Sequence, residues 1–232
     1  MTMAGGAERP DGVIAILFDI DGTLITSGGA SAVAWRRAFA DLYGIPAAIG
    51  EFSHAGMTDP EVGRLTFTAV VGHDPSPGEL AQVMAKRLEH LPAAVAESTG
   101  YRVLPGVQEL LPSLGQRGYL LGLTTGLVES AAHIKLARGD LNKYFSFGGY
   151  GSDSPDRTEL TRLGIQRAGT VLGRPVDPRQ VWVVGDTPLD IAAAHGAGAI
   201  AVGVASSVYT TQQLRDAGAD HVLAALTDGL PL

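Results

Sequence analysis

The chain contains no cysteine, so disulfides and thiolate metal sites are excluded. Charge is sparse: charged residues make up 18% of the 232, with 17 basic against 24 acidic and a formal net charge of −7. That balance argues against an extended nucleic-acid groove, though it leaves room for a local basic pocket. No long apolar stretch runs uninterrupted and no signal-peptide pattern opens the chain. Membrane spans are therefore not expected, and a cytoplasmic protein is. Hydrophobic residues, by contrast, reach 45%. They support a sizeable core and argue against global disorder. The length suits one large domain or a core with a small insert. Residues 1–12 read as a loose tail.

Apolar runs rich in branched residues recur at 13–18, 119–124, 181–185 and 199–204, with a shorter one at 221–223. Helical patterns lie between the later ones, at 107–116, 128–137 and 158–168. Strands alternating with helices indicate an α/β fold with a parallel sheet covered on both faces. The stretch 27–102 breaks this rhythm. It shows no convincing strand, and 30–43, 60–71 and 79–97 read as helices. Ser27-Gly28-Gly29 reads as a flexible entrance to this insert, and Ser98-Thr99-Gly100 as its exit.

The first apolar run ends in Asp19-Ile20-Asp21-Gly22-Thr23. Open α/β sheets bind ligands at the carboxyl ends of their strands, so both acids stand where chemistry happens. Gly22 lets the backbone turn and approach a bound group closely. At a strand end, one acid can stay fixed on the sheet while the loop carries the other. One carboxylate is then free to attack a centre while the other handles the proton. An Asp-Gly turn with no chemistry is the plain alternative.

Two further strand ends carry polar groups. The run 119–124 leads into Thr124, Thr125 and Gly126, ahead of a helix whose free amides face the strand end. A hydroxyl beside such amides makes an anion site, although both threonines could simply end the strand and cap the helix. The run 181–185 delivers Asp186, with Asp190 four residues later, so both acids can face one pocket. Magnesium prefers oxygen ligands and keeps several waters, so one or two carboxylates suffice. Asp190 could instead only support the loop. The histidines have no metal-ligand spacing, which argues against zinc.

These three elements resemble motifs I, II and IV of the haloacid dehalogenase-like hydrolase superfamily, and the insert resembles the C1-type cap of its subfamily I. The resemblance implies a Rossmann-like core at 12–26 and 103–232, with a helical cap at 27–102. It implies a magnesium-dependent phosphatase of the phosphoglycolate-phosphatase kind, acting on a small phosphorylated metabolite. Asp19 would be the nucleophile and Asp21 the general acid and base. Thr125, or Thr124 in the other register, and Gly126 would hold the phosphoryl group. Asp19, Asp21, Asp186 and Asp190 would hold the metal.

The match thins in two places. Leu127 stands where many relatives carry asparagine, and the Lys-Pro pair of motif III is absent. Arg157 can replace that lysine if Ser154 caps a helix with Pro155 at its first position. Lys135, two turns down the helix after motif II, is the other candidate. Within the insert, His54 and Asp59, around Gly56-Met57-Thr58-Asp59-Pro60, are candidate substrate contacts. Asp59 could equally be an N-cap. A phosphomutase would keep all these motifs. A dehalogenase would not need Asp21. A phospho-accepting receiver domain would lack the insert and would not need Asp21.

Overall fold

The structure is a computed structural model that describes residues 12–47 and 56–232. The expected tail, apart from Gly12, and His54 lie outside the described residues.

Six strands form one parallel sheet: β1 (Ala15–Phe18), β4 (Leu120–Thr125), β5 (Gly148–Tyr150), β6 (Val181–Gly185), β7 (Ile200–Val204) and β8 (His221–Leu223). Their order across the sheet is β5-β4-β1-β6-β7-β8, so the chain reverses direction of winding at β1. A doubly wound sheet leaves a crevice at such a point, beyond the carboxyl ends of its strands.

Strand alternation divides the core. Ile16, Phe18, Leu121, Leu123, Trp182 and Val184 face one side, where they cluster with α4 (Val107–Gln116) and α5 (Glu129–Arg138). Ala15, Leu17, Val181 and Val183 face the other, with α6 (Arg157–Leu172), α7 (Pro188–Gly196) and α8 (Thr211–Asp216). Both faces are covered, so the central strands read as continuous apolar runs. No helix among the described residues is long and apolar enough to cross a membrane.

Between β1 and β4 come α1 (Ala30–Tyr43), α2 (Asp59–Val71) and α3 (Pro77–Glu97). These helices have their own small core of Trp35, Phe39, Val62, Phe67 and Val83. Leu91, Ala94 and Val95, at the far end of α3, join the core of the sheet.

The connections into and out of this helical segment correct the expectation of flexible links. β2 (Ile25–Ser27) pairs antiparallel with β3 (Tyr101–Val103). The Ser98 hydroxyl donates to the Ser27 carbonyl at 2.9 Å. Gly28 and Gly100 lie so close that a Cβ on Gly28 would overlap the Gly100 backbone. Glycine serves here for close approach of two chains rather than for freedom.

Candidate active site

The crevice above β1, β4 and β6 holds a cavity of about 360 Å³ lined by Asp19, Asp21, Thr125, Gly126, Lys135, Arg157 and Asp186 among others. Asp19 follows β1 directly and is buried. Gly22 then turns the chain at φ 90°, and a Cβ there would come within 2.7 Å of the Asp186 carboxyl carbon. The turn after β1 and the end of β6 are thereby pressed together.

Asp186 accepts a hydrogen bond from Thr23 Oγ1 at 3.0 Å and another from Ser207 Oγ. Asp190, in the first turn of α7, accepts from the Thr187 amide at 3.0 Å and the Thr187 hydroxyl at 2.7 Å. Its other oxygen takes Arg157.

Both expected cations arrive. Arg157 Nη2 lies 3.4 Å from Asp19 Oδ1 and also donates to Asp190, bridging β1 to α7. The helix start differs from the expectation. Asp156 caps α6 by accepting from the Thr158 amide at 2.8 Å, and Arg157 is the first helical residue. Ser154 instead accepts from the Asp156 amide at 3.1 Å, forming the turn before the helix. Lys135 is buried and donates to Asp21 Oδ2. The two catalytic candidates thus have separate cationic partners.

Alternation along β4 distinguishes the threonines. Thr125 lines the cavity. Thr124 turns away, its hydroxyl 2.9 Å from that of Thr161 on α6. Leu127 also lines the cavity, so the expected asparagine position is apolar.

Asp59 does not face the cavity. It is buried, and its Oδ2 accepts Arg87 Nη1 at 2.7 Å and the Val128 amide at 3.0 Å. Nor is it the N-cap: Thr58 holds that position and Asp59 begins α2. A charged group entering the interior needs such partners, which removes Asp59 from substrate contact. Arg87, its partner, was not singled out by sequence, because Arg on a helix is ordinarily solvated.

Asp19, Asp186 and Asp190 each offer an oxygen within 4.8 Å of the others. Burial, and then the Asp190 charge, raise the Asp19 carboxyl well above the usual carboxylate range, against the pull of Arg157. The same two causes push Asp186 to about 6, while the hydroxyls of Ser207 and Thr23 pull it down. Three gathered carboxylates face a single guanidinium, and all donors are hard oxygens. That set fits a divalent cation such as magnesium. The Asp21 carboxylate stands apart from the trio, on Lys135.

A glycine-tight turn that gathers acids over the switch point of a doubly wound sheet marks an α/β enzyme site. The family described as haloacid dehalogenase-like hydrolase matches residues 14–198, and the chain belongs to it. The chain is 28% identical over 219 residues to "Probable phosphatase IndB" of Dickeya dadantii, spanning 87% of this chain and 85% of that protein. It is 26% identical over 236 residues to the phosphoglycolate phosphatase of Escherichia coli O157:H7, spanning 93% and 90%. The crystal structure of CbbY from Rhodobacter sphaeroides in complex with phosphate superimposes with a TM-score of 0.74 at 22% identity, covering 93% of this chain and 96% of that one.

Proposed function

We propose that the protein is a magnesium-dependent phosphatase that hydrolyses a small phosphate monoester through an aspartyl-phosphate on Asp19. The observation that carries this reading is the split environment of the two acids after β1: Asp19 lies among carboxylates and Arg157, while Asp21 stands on Lys135. Carboxylates in unlike settings take unlike roles.

In this reading an Asp19 oxygen attacks phosphorus as the ester oxygen leaves. Asp21 gives that oxygen its proton. Asp21 then takes a proton from the water that attacks the aspartyl-phosphate, releasing inorganic phosphate and restoring Asp19. Arg157 and the Thr125 hydroxyl hold the transferring oxygens, and Lys135 keeps the Asp21 carboxylate turned into the cavity. Asp19 and Asp186 would hold the metal, with Asp190 largely committed to Arg157 and Thr187. The bound cation would offset the crowding of negative charge and so keep Asp19 ionised for attack. Residues 27–102 act as the cap that supplies contacts to the organic part of the substrate, within a cytoplasmic enzyme.

The test is a panel of phosphate monoesters assayed with magnesium and with excess chelator. Hydrolysis should require the metal. Asp19→Asn should abolish turnover by several orders of magnitude while leaving the melting curve cooperative. Turnover that survives in chelator, or in that variant, refutes the mechanism.

A further inference from the structure

The residues leading into α2 cross the top of the sheet and are fastened there at three points. Arg157 Nη1 donates to the Gly56 carbonyl at 2.9 Å. The Asp59 amide donates to the Gly126 carbonyl at 2.7 Å. The Val128 amide donates to Asp59 Oδ2 at 3.0 Å. Backbone lies against backbone at this crossing, since a Cβ on Gly126 would overlap the Met57 carbonyl.

The oxygen of Asp59 that accepts the Val128 amide also accepts Arg87 Nη1 from α3. Arg87 is 0% exposed, and its guanidinium carbon lies 4.9 Å from the centre of the Trp35 ring on α1. One guanidinium therefore touches α1 and α2 from its seat on α3. Asp59 carries that contact to the backbone three residues past Thr125. Neither Asp59 nor Arg87 lines the cavity.

We infer that Asp59 is a positioning residue: its Oδ2, on which Arg87 rests, sets the loop Thr125–Val128, which holds the transferring phosphoryl group. This rests on the function proposed above. A purely structural pair needs no charge here. An apolar pair of similar volume often holds two helices at least as well as a buried ion pair. An apolar side chain cannot, however, accept the Val128 amide. The acid is required by its bond to the loop, and the arginine by the acid. Arg87 Nε and Nη2 are buried without a hydrogen-bond partner among the described residues.

Two double variants separate positioning from stability. Asp59→Leu/Arg87→Met removes both charges and the acceptor. Asp59→Asn/Arg87→Met removes both charges but keeps an oxygen for Val128, at the cost of an unpaired amide. The first should melt higher than the second yet turn over p-nitrophenyl phosphate more slowly. The expected loss in kcat is on the order of 100-fold, as for a misplacement of about 1 Å at a reacting group. The second should keep turnover within about threefold of wild type, a change on the scale of ordinary context effects. Amide exchange at Val128 should be fast in the first and protected in the second. Activity that follows melting temperature across both variants overturns the inference, as does wild-type turnover in both. If the wild-type protein hydrolyses no ester, the proposed function fails. Exchange then decides alone, and equal protection of Val128 in both variants overturns the positioning role.

Discussion

Asp186→Asn should make the metal-free protein more stable at neutral pH, and magnesium should reverse the order. The folded chain raises this carboxyl from 3.8 to about 6, chiefly because it is buried and then because Asp190 lies beside it. A raised acid binds its proton more tightly in the folded state. Its stabilising contribution is complete below pH 3.8 and is lost as pH rises through 6. A shift of about two units corresponds to about 3 kcal/mol, at about 1.4 kcal/mol per unit. Roughly half of that falls between pH 5 and pH 8 by the same linkage relation. For a chain of this size it should appear as about 3–6 °C in melting temperature.

Asparagine does not titrate, so the difference between the two proteins reports Asp186 together with Asp19, which its charge also raises. Melts in chelator at pH 5, 6, 7 and 8 should show the variant gaining on wild type with each step. With magnesium at about 100 times its dissociation constant, wild type should recover about 2.7 kcal/mol. The variant, having lost a charged ligand, should recover far less. A difference that stays flat with pH in chelator, or that grows in favour of wild type, refutes the reasoning.

Two other outcomes follow from the same geometry. Arg157→Ala should lower kcat by about 10²–10³, more than Lys135→Ala does, because Arg157 touches Asp19 and a cation at the transferring oxygens acts most strongly in the transition state. Steady-state kinetics of both variants decides this, and a crippled Lys135→Ala beside an active Arg157→Ala reverses the assignment. Gly22→Ala should weaken magnesium binding measured by calorimetry, because the new methyl occupies space held by the Asp186 carboxylate and the backbone sits at φ 90°. Unchanged affinity in a folded variant would show that the turn can relax.

Much of this site was legible in one dimension. Continuous apolar runs identify strands covered on both faces, and acids placed directly after them must lie at the carboxyl edge of a parallel sheet. Asp19, Asp21 and Asp186 follow from that rule, with Thr124 and Thr125 left as alternatives. The helices α1 and α4 were readable to the residue, from apolar spacing and turn residues alone. β5 was not. Gly148 and Gly149 lack strand propensity, and glycine is needed at 149 because α6 packs so closely there that a Cβ would collide with the Leu160 backbone. The β2–β3 ribbon was equally hidden. Three-residue strands separated by more than seventy positions have no local signal, and their glycines resemble those of a flexible link.

Local pattern determines which strand end carries an acid. It does not determine which cation reaches that acid. Arg157 and Lys135 lie on different helices, and only the packing of α5 and α6 against opposite faces of the sheet gives one to Asp19 and the other to Asp21. Tertiary structure likewise decided Asp59. A carboxylate before a proline reads as a cap or a surface contact. It becomes a buried link only because α3 brings an arginine to it and the crossing chain brings the Val128 amide. Burial makes a charge depend on partners distant in sequence.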